Sequence, residues 1–163
     1  TFVLNGVSKA YSMTGWRIGY AAGPTKIIGA MKKIQSQSTS NPCSISQAAA
    51  TAALDGDQAC VGEMVKAFRE RHDWLVAALN KLPGVDCLNG DGTFYVFPSF
   101  QGAIDATDGV STDVEFAEKL LTEAGVALVP GSAFGCPGHM RLSFATSMDN
   151  LQKAVERLQK ALG

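Results

Sequence analysis

Residues 5–20 read NGVSKAYSMTGWRIGY, and the reading of this stretch decides what the rest of the chain can be. One lysine, Lys9, stands among small residues, and Arg17 follows eight positions later, with glycines at 6, 15 and 19. The run Phe2 to Leu4 ahead of it reads as a short buried strand ending at the turn signal Asn5-Gly6. RIGYAA, residues 17–22, reads as a second short strand stopped by Gly23-Pro24. On local pattern alone, Lys9 is a solvated lysine near a turn and Arg17 makes a strand-edge ion pair. Their neighbours argue for partial burial instead: Val7, Ser8 and Ala10 beside the lysine, and Ile18, Gly19, Tyr20 and two alanines after the arginine.

Composition sets the bounds. At 163 residues with 46% hydrophobic and 18% charged residues, the chain is long enough for a folded core, as one domain or as part of a larger assembly of domains. Fourteen basic residues stand against 15 acidic ones for a net charge of −1, with no cationic cluster of the kind that tracks a phosphate backbone, so no nucleic-acid partner is expected. No apolar run reaches the roughly 18 residues of a membrane span, and no membrane partner is expected. Four scattered cysteines (43, 60, 87 and 136) and two histidines (72 and 139) form no Cys-x-x-Cys pairing. No metal site is expected, and free thiols fit a reducing compartment, by default the cytoplasm. The opening at Thr1, directly on an apolar run, suggests a start inside a longer sequence, whereas RLQKALG at the end suggests a natural terminus.

Along the chain, Thr25 is placed to cap a helix carrying Ile27, Ile28, Met31 and Ile34, before a polar break at residues 35–42. Ser44 is placed to cap an alanine-rich helix closed by Asp55-Gly56. The longest helix is expected from Gln58 to Leu82. Its stripe holds Val61, Met64, Val65, Phe68, His72, Leu75, Val76 and Leu79 at helical spacing, which makes His72 a structural residue. Strands are expected at 85–88, 93–98, 126–131 and 139–146, and helices at 111–125, capped by Asp113 or Thr112, and at Met148 to Leu162. There is no internal repeat. The chain divides near 55–60, a strand-and-helix segment before and a long helix with strands and helices after, giving residues 1–57 as the incomplete end of one domain and 58–163 as a small α+β domain led by a long helix.

A buried lysine beside another cation gives up its proton more readily, and a neutral amine is the nucleophile that condenses with an aldehyde. An arginine fork suits a pair of phosphate oxygens. Together these are what a pyridoxal 5'-phosphate site requires. Here the residues carry a resemblance. SKAYSMTGWRIGY resembles the pyridoxal-lysine segment of fold type I aminotransferases. The further blocks Ser40-Asn41-Pro42, GTFYVFP, VALVPGSAFG and MRLSFA follow in the order found in bacterial aspartate aminotransferases of class I, across essentially the whole chain.

The resemblance implies a C-terminal part of the fold type I fold, α/β overall, with helices packed on a small mixed sheet. It implies that Lys9 holds the cofactor as a Schiff base and, once released, moves the proton at the substrate Cα. Arg17 matches the residue that contacts the cofactor phosphate, and Arg141 the one that pairs with the substrate α-carboxylate. The bland reading of Arg141 is a strand-face salt bridge. Phe134, Tyr95 and Trp16 are aromatic candidates to line the site, and the Ser40-Asn41 turn approaches the partner subunit's site in relatives. Two departures stand out. No basic residue lies between Ile34 and Thr39, where animal and enterobacterial relatives bind the distal carboxylate, and position 6 is glycine where those relatives have a phosphate-binding serine. The implied partners are an amino acid, aspartate or a similar dicarboxylic one, and a 2-oxo acid, in a homodimer. The groups that engage the cofactor ring come from a large N-terminal section in the family, so this chain alone is expected to be inactive. A β-lyase or synthase of the same fold, or a non-catalytic module, stays open on these residues.

Overall fold

The computed structural model describes residues 1–163 and resolves into two compact units, Thr1–Met64 and Val65–Gly163. In the first, β1 (Val3–Gly6) and β2 (Gly19–Ala22) form an antiparallel ribbon, paired from Val3↔Ala22 to Gly6↔Gly19. The ribbon opens on a pair of glycines because the backbones approach closely there. A Cβ on Gly19 would sit 3.1 Å from the Asn5 carbonyl oxygen, and one on Gly6 3.3 Å from that of Ile18. The second strand begins at Gly19 and not at Arg17. Arg17 closes a 3-10 turn, Thr14–Trp16, in the left-handed region at φ 51°, ψ 50°, which cannot continue a strand.

Helix α1 (Thr25–Ser38) runs through the polar tract expected to break it, since glutamine is a good helix former. The chain turns instead at Ser40, at φ 66°. Pro24 and Cys43 occupy the N-cap positions of α1 and of α2 (Ser44–Asp55), with no side-chain cap bond at either. Thr25 and Ser44 are therefore the first helical residues and not the caps. Val7, Ser46 and Ala50 are buried, whereas Ile27, Met31 and Ile34 of α1 are exposed.

Helix α3 (Ala59–Leu79) buries His72, Leu75, Val76 and Leu79 in the second unit. It stops short of Leu82 because the Asn80 side chain turns to bracket the Cys87 backbone, donating to its carbonyl at 2.9 Å and accepting from its N–H at 2.8 Å. Gly84, at φ 71°, then completes the turn where a Cβ would lie 2.3 Å from the Ala103 nitrogen. The strand expected at 85–88 reduces to one bridge, Asp86↔Ser99. Strands β3 (Tyr95–Val96), β4 (Val129–Pro130) and β5 (Met140–Ser143) form one sheet in the order β3-β5-β4. Both joints are antiparallel, so the small sheet is antiparallel and not mixed as the resemblance had implied. The short connection from β4 to β5 permits only this, since a parallel pair needs a long crossover. Proline at 98 and 130 removes ladder donors and keeps β3 and β4 short.

Around this sheet lie α4 (Gln101–Asp105), α5 (Asp113–Lys119) and α6 (Met148–Leu162). The cap of α5 is Thr112, whose hydroxyl accepts from the Glu115 N–H while the Glu115 carboxylate accepts from the Thr112 N–H. A π-helical turn, Leu120–Ala124, extends α5 until Gly125 ends it at φ 66°. The core is centred on Leu75, Leu79, Phe100, Phe116, Met140, Phe144 and Leu158, each such side chain stabilising by about 1.5–3 kcal/mol on burial. Along β5 the alternation is plain: Met140 and Leu142 point into the core, leaving Arg141 and Ser143 on the outer face. No helix is long and apolar enough to cross a membrane.

Candidate active site

Lys9 lies in the loop joining β1 to β2. One tight turn shapes that loop: the Tyr11 N–H donates to Val7 O at 3.3 Å, Ser12 to Lys9 O at 3.2 Å and Met13 to Ser8 O at 3.1 Å. The Tyr11 hydroxyl donates to Gln58 Oε1 at 2.8 Å, and Gln58 in turn donates to the carbonyls of Ala53 and Gly56. The lysine turn is thereby fastened to the corner between α2 and α3. Arg17 closes the same loop, and its guanidinium donates to Thr14 O at 2.8 Å. No carboxylate lies within ion-pair distance of it.

The sequence suggested that Lys9 and Arg17 are partly buried; both are exposed. A two-stranded ribbon has no layer of its own over the loop, so small flanking residues do not by themselves enclose a side chain. Two non-glycine residues, Ser12 at φ 54° and Arg17 at φ 51°, hold left-handed conformations here, a cost of about 1–2 kcal/mol each that gives the loop a fixed shape. The donor set fits an aldehyde carrying a phosphate ester. Lys9 provides the amine, and Arg17 a fork that no acidic side chain of the chain neutralises.

Arg141 belongs to the second unit. Its guanidinium carbon stands 4.4 Å from the centre of the Tyr95 ring and 4.6 Å from that of Phe134. The register explains the first contact. Tyr95 pairs with Ser143, so Arg141, two residues away, shares its face and meets the ring on the diagonal. Phe134 comes from the 3-10 turn Gly131–Phe134, which follows β4. The start of that turn is anchored by the buried Asp113, whose carboxylate accepts the Ser132 N–H at 2.6 Å. Half-exposed and with no acidic partner within ion-pair distance, Arg141 does not make the strand-face salt bridge of the bland reading.

The sequence placed Tyr95 and Phe134 only as possible lining. It missed Phe97, which meets Phe134 edge-on at 5.9 Å and stacks on His139 at 5.2 Å. Alternation along TFYVFP puts Phe97 on the face of Tyr95, a signal that was available. Trp16 and Ser40 stand in the first unit, Trp16 in the 3-10 turn and Ser40 at the end of α1. His72 is structural: Nε2 accepts the Gly90 N–H at 3.2 Å, leaving the ring proton on Nδ1 for Asp73 at 2.9 Å.

Lys9 and Arg17 thus share one shaped loop of the first unit, and in the second unit Arg141 stands stacked between two rings with no acidic partner. Residues 1–158 match the family model for aminotransferases of class I and II, and the chain belongs to that family, which uses pyridoxal phosphate. It is 58% identical over 167 aligned positions to the aspartate/prephenate aminotransferase of Nitrosomonas europaea, covering 99% of this chain and 42% of that one. It is 52% identical to the aspartate aminotransferase of Geobacillus stearothermophilus, covering 98% of this chain and 40% of that one. The crystal structure of the Rhizobium meliloti aspartate aminotransferase superposes with a TM-score of 0.93 at 47% identity, over 99% of this chain and 42% of that chain. The chain thus spans about two-fifths of the length of the relatives it matches.

Proposed function

We propose that this chain carries the lysine-bearing part of a pyridoxal-phosphate-dependent aminotransferase that moves an amino group between an amino acid, aspartate or a similar dicarboxylic one, and a 2-oxo acid. The observation that carries the reading is the pairing of Lys9 and Arg17 on one constrained loop, in a chain whose relatives are aspartate and aspartate/prephenate aminotransferases. The activity is proposed for a protein of the relatives' full length, as a cytoplasmic homodimer; the 163 residues by themselves are expected to be inactive. Residues 1–57 are assigned to the cofactor-binding domain and 58–163 to the smaller one.

When bound, the cofactor supplies an electron sink for the charge left at the substrate Cα as its proton departs. The Lys9 amine would hold the aldehyde and, once released, would take the proton from the substrate Cα and later give it back. The Arg17 guanidinium would hold the cofactor's phosphate oxygens. Arg141 grips the substrate α-carboxylate with two parallel N–H bonds and so fixes the direction of the Cα–H bond, which selects proton transfer over other bond cleavages. The test is amino transfer from aspartate to 2-oxoglutarate by the full-length protein. Lys9→Ala should lower the rate by about 10²–10⁴-fold or more; a Lys9→Ala protein of undiminished rate overturns the assignment.

A further inference from the structure

Beyond the transamination residues, the second unit holds a thiol and an imidazole in hydrogen-bond contact. Cys136 Sγ lies 3.3 Å from His139 Nδ1, and the same Nδ1 lies 3.3 Å from the Pro137 carbonyl oxygen. Two features fix this arrangement. The Cys136 N–H donates to Gly131 O at 3.0 Å while the Gly131 N–H donates to His139 O at 2.7 Å, so both residues hang from one glycine. That position has no room for a side chain, since a Cβ would meet Cys136 O at 2.2 Å. The imidazole is also braced from the side by the Phe97 ring at 5.2 Å and 27°. Cys136 and His139 are both partly exposed, and neither has a role in the transamination proposed above.

We propose that Cys136 and His139 form an oxidant-sensitive thiol site that reacts with small hydroperoxides. The geometry supplies the route: the sulfur proton passes to Nδ1 across the 3.3 Å contact as the sulfur attacks, and the Pro137 carbonyl, 3.3 Å from the same nitrogen, accepts from it there. The sulfur attacks the terminal oxygen of the hydroperoxide. The S–O bond forms as the O–O bond breaks, sulfur gives up two electrons, and the departing hydroxide or alkoxide takes the proton held on His139, yielding a sulfenic acid and water or an alcohol. The other thiols differ in setting. Cys87 is buried, whereas Cys43 and Cys60 are exposed, with no histidine in hydrogen-bond contact.

The site has a path to the carboxylate fork. His139 stacks on Phe97, Phe97 meets Phe134 edge-on, and Phe134 stands over Arg141. An oxygen added on Cys136 presses on the imidazole at the head of this series, and the consequence is weaker carboxylate binding at Arg141. That consequence rests on the carboxylate role proposed for Arg141.

The test treats the full-length protein with hydrogen peroxide, traps sulfenic acid with dimedone, and measures the adduct at each cysteine by peptide mapping. Cys136 should form adduct roughly tenfold faster than Cys60. His139→Phe, which keeps a ring against Phe97, should remove that advantage and leave the Cys43 rate unchanged. Equal rates at Cys136 with and without the imidazole overturn the proposal, and His139→Gln serves as the second variant if the phenylalanine protein does not fold. Succinate titration before and after oxidation then reads the coupling, with an expected rise in Kd of about fivefold. His139-dependent oxidation with unchanged succinate affinity refutes the coupling. Failure of succinate to bind the reduced protein at all instead refutes the Arg141 assignment.

Discussion

Arg141→Lys separates a fork from a charge. In the structure the guanidinium is stacked between Tyr95 at 4.4 Å and Phe134 at 4.6 Å, with no acidic side chain to satisfy its N–H edge. Each ring contact contributes about 0.5–1 kcal/mol at a half-exposed site, and together they hold the plane in one orientation before any ligand arrives. Lysine keeps the positive charge but loses the paired donors and the stacking. A hydrogen bond to a charged group contributes about 1.5–3 kcal/mol, and about 1.4 kcal/mol is a factor of ten. Calorimetric titration of the full-length protein with succinate, a dicarboxylate without the reacting amine, should therefore show Kd raised by roughly tenfold to a hundredfold in Arg141→Lys. Phe134→Leu keeps the fork and removes one ring, so its loss should be roughly two- to fivefold. The reasoning is refuted if Arg141→Lys binds succinate like the parent, or if removing the ring costs more than removing the fork.

Three further outcomes are expected. His72→Ala loses the acceptor for the Gly90 N–H and the edge contact with Phe144 at 5.6 Å, and urea unfolding should report about 1–3 kcal/mol less stability; an unchanged midpoint would contradict the structural role. The Glu115 carboxyl lies below its ordinary value of 4.5 because the Ser111 N–H, the Thr112 hydroxyl and the Thr112 N–H favour its ionised form. A depressed acid contributes stability above its unfolded value and loses it as pH falls through the folded one, so helix α5 should weaken below about pH 4.5 in hydrogen exchange. Thr112→Ala should flatten that dependence. Among the thiols, the Ser46 and Ile45 N–H groups at the start of α2 hold Cys43 below its ordinary range, whereas burial, aided by Asp86, pushes Cys87 up to about 11. Iodoacetamide near neutral pH should label Cys43 readily and Cys87 only after unfolding; labelling of native Cys87 at a comparable rate would contradict this.

The helices were the legible part of the fold, because α3 and α6 repeat apolar residues at helical spacing; α6 buries Leu151 and Leu158, and α3 buries His72, Leu75, Val76 and Leu79 of its stripe but leaves Val65 exposed. Strands were less legible. VALVPG and TFYVFP carry strand-forming residues, yet only Val129–Pro130 and Tyr95–Val96 enter a ladder, since prolines interrupt the donors and propensity does not say which neighbour is present. Arg17 looked like strand and proved to be a left-handed turn residue, a geometry that nothing in RIGYAA announces. For the site, the roles proposed for Lys9, Arg17 and Arg141 rest on the order and spacing of motifs. Local chemistry suggested burial for the first two, which the structure does not provide. The aromatic walls around Arg141 depend on strand register and on a turn anchored by Asp113, both long-range features. The Cys136–His139 contact depends on Gly131 holding two loop residues from a third position, which spacing alone does not reveal.

The central claim is that Lys9 is the amine that holds the cofactor, and covalent trapping tests it most directly. Full-length protein incubated with pyridoxal phosphate and reduced with borohydride should carry the phosphopyridoxyl group on the peptide containing Lys9, and a Lys9→Ala protein should carry none there. The same label spread over Lys26, Lys32 and Lys33, or its persistence in the variant at an unrelated lysine with the parent's yield, would contradict the account.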